Sequence, residues 1–265
     1  MTPANTSSPL IGAFDSGVGG LTVLDALRRR LPQAQFVYLG DVACAPYGER
    51  EPADVVDRCH RIVAHLASLG ARLIVVACNT ATVTAIAELR RRWPDLRFVG
   101  VEPGVKPAAM HSRSRRIAVM ATPATAASPR LRDLIAKFAN DVHVHVQPCP
   151  GLAALIEDGV HGGSALHATL APLCDAIRRA DVDTVVLGCT HYPFAADAIR
   201  ALLGPQVTLV DTATAVAERV ATVHSQTEGS LPGLRVISTG DSGAMALLLS
   251  RCHHLEQVTI ERASI

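Results

Sequence analysis

Aromatic residues make up only 3% of this 265-residue chain, with a single tryptophan. A core without rings must be filled by Val, Leu, Ile and Ala, which is how parallel strands covered by helices are filled. Charge is also scarce: 18% of residues are Asp, Glu, Lys or Arg, and the net charge is +1. Together these deficits argue against a nucleic-acid partner. The clusters Arg28-Arg29-Arg30 and Arg90-Arg91-Arg92 read instead as helix C-termini, where cations suit the helix dipole. No apolar run reaches membrane-spanning length, and Met1–Leu10 lacks the charged and apolar regions of a secretion signal. A cytoplasmic protein without a membrane partner is expected. The seven cysteines include no CxxC pair, which argues against a disulfide framework and a zinc knuckle. In a reducing compartment each cysteine is either buried filler or a reactive thiol.

What is present is a regular alternation. Apolar and β-branched runs predict strands at Ile11–Phe14, Phe36–Gly40, Leu73–Ala77, Phe98–Val101, Ile117–Ala121, Val142–Val146, Thr184–Gly188, Val207–Val210 and Arg235–Ser238. Helix-length segments lie between them, such as the one carrying Val55, Cys59, Ile62, Val63 and Leu66 at three- and four-residue spacing. Strand–helix alternation predicts parallel sheets wrapped by helices, an α/β fold. The run Leu73–Thr80 and the run Thr184–His191 both end a buried strand in Cys followed by small polar residues. That shared register points to two pseudo-symmetric domains. Turns at Glu102-Pro103-Gly104 and Gly204-Pro205 mark the crossings. The expected division is 1–101 plus 208–265 for the first domain and 102–207 for the second.

Ligands of open α/β sheets bind beyond the carboxyl ends of the strands. Polar residues gather there at Asp15–Gly20, Asp41–Gly48, Cys78–Thr82, Thr122–Thr125 and Cys189–Pro193. The loop Gly17-Val18-Gly19-Gly20 offers backbone N–H groups at a helix start, suited to an anion. Thr22 replaces the third glycine of a dinucleotide fingerprint and a P-loop lysine is missing, so a carboxylate fits better than a pyrophosphate; a turn needing glycine for backbone reasons alone is the plainer alternative. Cys78 and Cys189 each close a strand and open an expected helix, whose N-terminus lowers a thiol's pKa. Cys59 and Cys174 fall on helical stretches and read as core; Cys149 and Cys252 lack suitable polar neighbours, and Cys44 stays undecided beside Pro46-Tyr47-Gly48. Asp15 is placed to act on Cys78 or on a substrate ammonium. His191 is placed either to shuttle protons or to make a structural hydrogen bond. One Cys-x-His pair is too little for a zinc site, so no metal is expected.

The segments Phe14–Val23, Pro46-Tyr47-Gly48, Ala77–Ala81 and Gly188–Pro193 resemble, in order and spacing, the signature segments of the glutamate racemase family within the aspartate/glutamate racemase superfamily. The resemblance runs from Ile11 to about Arg219. It implies two α/β domains with the active site in the cleft between them, and a reaction needing neither pyridoxal phosphate nor metal. By that resemblance Cys78 serves the D-glutamate face and Cys189 the L-glutamate face, assisted by Asp15 and His191. Ser16, Tyr47, Gly48, Asn79, Thr80, Thr122, Thr125 and Thr190 match positions that hold glutamate, with Asp15 and His191. Glu157 matches an acidic position linked to proton transfer. D-Glutamate for peptidoglycan and cell-wall synthesis is the implied product; a homodimer is left open. The chain departs from the family pattern at Val42–Ala45, at Ala121–Thr125, where two glycines are replaced, and at Asp211-Thr212-Ala213. An aspartate or hydantoin racemase and a non-catalytic amino-acid-binding regulator are the competing readings.

Overall fold

The computed structural model describes residues 10–224, 232–255 and 258–265. The reading of the N-terminus therefore lies, for Met1–Pro9, outside the described residues. The first half runs β1 (Ile11–Asp15), α1 (Leu21–Arg30), β2 (Gln35–Gly40), α2 (Pro52–Ser68), β3 (Leu73–Val76), α3 (Asn79–Arg92) and β4 (Arg97–Gly100). It continues through α4 (Val105–His111) into β5 (Arg116–Ala121), α5 (Pro123–Ala127), α6 (Pro129–Phe138), β6 (His143–Pro148), α7 (Leu152–Glu157), α8 (Gly163–Arg179), β7 (Thr184–Leu187), α9 (Ala196–Leu203) and β8 (Thr208–Val210). The chain then returns through α10 (Ala213–Val223), β9 (Gly233–Ser238), α11 (Gly243–Leu249) and β10 (Ile260–Arg262).

Two sheets result, with strand orders β10-β9-β2-β1-β3-β4 and β6-β5-β7-β8, and every pairing is parallel. The core of the first sheet, β2-β1-β3-β4, has the same order as the whole of the second. Cys78 follows β3 and Cys189 follows β7, so the matched cysteine registers seen in the sequence correspond to equivalent strands. The nine expected strands are all present, with ends displaced by one or two residues. β10 is an addition: a short, half-exposed edge strand carries no apolar run to signal it.

Strand side chains alternate between two apolar layers. Leu73 and Val75 of β3 pack with the α1 and α10 side, while Ile74 and Val76 pack with α2 and α3. In the second sheet Ala118 and Met120 join the α7–α8–α9 side, and Ile117 and Val119 face α4 and α6. Strands buried on both faces lose the polar alternation of a surface strand.

The expected return to the first unit at residue 208 comes one strand too early. Thr208–Val210 pairs with β7 at the edge of the second sheet, as β4 pairs with β3 in the first. Pro205 suggested a crossing because it ends α9, but the strand after it completes the repeat.

Asp183 joins elements across the second sheet's lower end. Its carboxylate accepts from Ser112 Oγ, the Arg113 and Ser114 amides and Thr184 Oγ1 at 2.7, 2.7, 2.7 and 2.9 Å. Burial alone raises its pKa; the four donors outweigh that and lower it to about 2. A depressed carboxylate pKa stabilises the fold above the unfolded value near 3.9, and that stability disappears as pH falls through the folded value. We expect Asp183→Asn to cost on the order of 1 kcal/mol at neutral pH, with the difference from the parent shrinking below about pH 3, measured by urea unfolding across pH.

Candidate active site

The carboxyl ends of the two sheets face each other across a small cavity. Ser16, Pro46, Tyr47, Gly48, Cys78, Asn79 and Thr80 line it from the first half; Thr122, Ala153, Cys189, Thr190 and His191 line it from the second. Both cysteines are nearly buried, at 4% and 5% exposure. The enclosed space is only about 10 Å³, room for roughly one water.

Local chain chemistry sets each wall. Cys78 is the N-cap of α3, its Sγ accepting from the Ala81 amide at 3.4 Å. The expected depression of its pKa does not follow: burial, then the charge of Asp15, push the thiol well above its usual value and outweigh the Ala81 and Ser16 hydrogen bonds. A helix terminus contributes a partial charge, whereas a dry interior opposes a whole one. Cys189 also differs from expectation, since no α-helix starts at it. A 3-10 turn, Tyr192–Ala195, intervenes before α9, with Pro193 at its start supplying no N–H. What faces Cys189 Sγ is His191 Nδ1, at 3.6 Å.

His191 in turn contacts Glu157 Oε2 through Nε2 at 2.6 Å. Burial works against its positive charge, but the bonds to Cys189 and Glu157 prevail and hold its pKa well above the ordinary value. Thus Glu157 is brought to the site through His191 and does not line the cavity. Asp15 likewise stands one layer back, fully buried. It accepts from Thr190 Oγ1 at 2.9 Å and from the Ser16 amide and hydroxyl. Its pKa is raised, chiefly by burial, against the opposing pull of His191 and Thr190.

Thr125, expected among the residues that hold substrate, lies one layer behind the cavity wall. It is fully buried behind Thr122, whose hydroxyl donates to it at 3.1 Å, while Thr122 itself meets Thr80 across the cleft at 3.0 Å. Thr122 is the N-cap of α5, which turns its neighbour inward. Tyr47 lines the cavity, yet its hydroxyl donates away from it to Asp41 at 2.6 Å. Asp41 also accepts from Arg58 Nε and Nη2 and from Thr239 Oγ1, so it anchors the Pro46-Tyr47-Gly48 turn behind a cis Ala45–Pro46 bond. Ala153 and Pro46 complete the wall; neither carries a chemical signal a sequence reader would pick out. Asn79 presents a buried Oδ1 without a partner among the described residues, an acceptor available to a ligand.

The glycine loop proves to be a close-approach device. A Cβ at Gly17 would lie 2.2 Å from Glu157 Oε1, and one at Gly19 would lie 2.5 Å from His191 Nδ1. Neither glycine has positive φ, so their need is for space. The loop does bind a carboxylate, the chain's own: the Val18 amide donates to Glu157 Oε2 at 3.0 Å. The remaining cysteines behave as filler. Cys59 and Cys174 sit inside α2 and α8, and burial pushes the Cys149 and Cys252 thiols up to about 12. Cys44, part-exposed in a 3-10 turn, uses its carbonyl to hold Arg50. Among the described residues there is no group of three or more His, Cys, Asp or Glu suited to a metal ion.

Two thiols with different polar partners thus border one small cavity at the carboxyl ends of two parallel sheets, the arrangement of an α/β enzyme. The chain belongs to the Asp/Glu/hydantoin racemase family, whose model matches residues 21–220; it is an isomerase. A glutamate racemase of Roseiflexus sp. strain RS-1 is 42% identical over 97% of this chain and 98% of its own length. Among solved structures, glutamate racemase isoform RacE1 of Bacillus anthracis superposes with a TM-score of 0.84 at 29% identity, covering 97% of each chain. The Escherichia coli glutamate racemase, solved with L-glutamate and the activator UDP-MurNAc-Ala, gives 0.82 at 30% identity over 97% of this chain and 98% of that one. No helix among the described residues is long and apolar enough to cross a membrane.

Gly19→Ala tests the close approach. The added methyl displaces His191 and Thr190, so we expect activity to fall at least about 100-fold while the unfolding midpoint changes far less than for a core truncation. A variant with parental activity would show that the loop has room to spare.

Proposed function

We propose that this chain interconverts L- and D-glutamate, with Cys78 and Cys189 as the two acid/base groups on opposite faces of the α-carbon. The reading rests on one observation above others: both thiols border the same cavity from equivalent positions in the second sheet and in the four-strand core of the first that matches it. Inversion by proton exchange requires a donor and an acceptor on opposite sides, and two facing strand ends supply that. The names of the relatives favour glutamate over aspartate or a hydantoin.

The two sheets with their helices act in this reading as two domains that part to admit substrate and close over it. Ser16, Thr80, Thr122 and Thr190 offer hydroxyls to the substrate's carboxylates, and the backbone at Gly48 lies beside them. Asn79 Oδ1 and the buried Asp15 carboxylate suit its ammonium, Asp15 acting from behind Ser16 and Thr190. Thr125 contributes by holding Thr122. Fixed donors around the α-carboxylate stabilise charge as the α-proton leaves, and exclusion of water strengthens them. The raised pKa of Cys78 makes its thiolate a strong base, ionised when the substrate's positive ammonium offsets Asp15 nearby. His191 stands by Cys189 as its proton partner.

D-Glutamate made in the cytoplasm would feed peptidoglycan synthesis. Sedimentation of the purified chain decides between a monomer and a homodimer. In a chiral assay of L-amino acids, glutamate is expected to be turned over well ahead of aspartate; equal or faster aspartate turnover overturns the substrate assignment. Cys78→Ser and Cys189→Ser should each lower racemisation by at least about 1,000-fold. Loss of hydrogen chloride from a β-chloro-substituted glutamate needs one base only. Each single variant should therefore retain that elimination with one enantiomer and lose it with the other.

A further inference from the structure

None of the residues that line the cavity comes from β9, β10 or the turns beside them. Two groups from that part of the chain nevertheless end on the support of the cavity wall, and both reach it through Asp41. The Asp41 side chain is fully buried, and its oxygens accept four bonds. Oδ2 accepts from the Tyr47 hydroxyl at 2.6 Å and from Arg58 Nε at 2.7 Å. Oδ1 accepts from Arg58 Nη2 at 2.6 Å and from Thr239 Oγ1 at 2.7 Å. The two parallel N–H bonds of the Arg58 fork fix the plane of the carboxylate as well as its place.

The far side of this network is built by the last strands. Thr239 follows β9, and its hydroxyl also accepts from the Ala43 amide at 3.1 Å, so it holds the Asp41–Ala43 segment at two points. Arg58 has one nitrogen left, Nη1, and it donates to the carbonyl of Ile265. That carbonyl is held in place by β10, which pairs with β9, and by the Ala263 amide donating to the Ser238 carbonyl at 3.0 Å. All three nitrogens of the guanidinium are thereby committed, two to Asp41 and one to Ile265.

We propose that Arg58, braced by Ile265, is a positioning residue for substrate: through Asp41 it holds the Tyr47–Glu49 turn where the turn meets the second half. This rests on the glutamate reading above. The turn touches the second half twice. A Cβ on Gly48 would lie 2.8 Å from the Thr122 Cβ, and Glu49 Oε1 accepts from the Gly151 amide at 3.2 Å. Thr122 in turn meets Thr80 at 3.0 Å. A shift of Tyr47 therefore passes to the two hydroxyls assigned to the substrate's carboxylates. Without Arg58 a buried Asp41 lacks its cation, so it takes up a proton or water, and the bond that fixes the Tyr47 ring from behind changes with it. The side-chain bonds of the network reach neither sulfur, so the effect falls on how substrate is held.

The test separates substrate binding from turnover. Arg58→Ala should raise KM for glutamate about tenfold in both directions, with kcat falling no more than about threefold, as expected when ground and transition states lose the same contact. Millimolar methylguanidinium should lower the KM of Arg58→Ala in proportion to its concentration and leave the parent unaffected. Removal of Ser264 and Ile265 should raise KM about threefold. Tyr47→Phe keeps the ring but cuts its bond to Asp41, so Arg58→Ala/Tyr47→Phe should be no worse than the poorer single variant. A merely structural Arg58 predicts a lower unfolding temperature and fewer active molecules, with parental KM and no response to methylguanidinium. That result, or additive KM effects in the double variant, overturns the proposal. If Arg58→Ala does not fold, Thr239→Val and the shortened chain decide by the same measure: a raised KM supports the brace, and a parental KM in both overturns it. If the parent turns over aspartate ahead of glutamate, the substrate reading fails separately, and the same comparison of KM values is then made with aspartate.

Discussion

Two buried carboxylates, each gripped by donors from the opposite sheet, determine how the halves of this protein meet. Asp15 ends the central strand of the first sheet and accepts from Thr190 of the second. Glu157 ends a helix of the second and accepts from the Val18 amide of the first, while also meeting His191. A dry carboxylate without donors is costly, on the order of several kcal/mol, so each closed contact must be completed by its neighbours. The same residues that complete it border the thiols. The contacts that join the two halves are therefore also the contacts that build the site.

That coupling explains the glycine loop better than backbone conformation does. Gly17 and Gly19 leave out side-chain atoms where Glu157 and His191 cross over. The motif suggested an anion from outside, and the principle was sound: amides at a helix start do hold a carboxylate. Only the partner differs, since it comes from residue 157 of the same chain.

The matched strand orders produce a near-symmetric frame with unequal chemistry inside it. Cys78 caps a helix directly, with its sulfur bonded to Ala81 and Ser16 and its pKa raised by burial and the charge of Asp15. Cys189 precedes a proline-containing turn, which swings His191 back onto its sulfur. In the proposed reaction the two enantiomers present the α-proton to opposite thiols, so each would meet a different set of polar neighbours. The family membership makes the reaction type plain, while the inequality is a property of these particular side chains.

Much of the plan was legible in linear form because strand–helix alternation and strand-end polarity are local signals. All nine strands, the two strand-end cysteines and most of the cavity wall could be named from periodicity, register and family likeness. The short edge strand β10, the place of β8 in the second sheet, the inward turn of Thr125 and the outward hydroxyl of Tyr47 could not, because each depends on which neighbour is nearest in space. The amino-acid sequence by itself determined the strands, the parallel class and the two thiols. Tertiary structure alone decided their electrostatics: burial and Asp15 raise Cys78 against its helix terminus, and Glu157, 34 residues from His191 in the chain, becomes its direct partner. Helix signals act within a turn of chain, whereas desolvation and charge pairing depend on everything packed around a group.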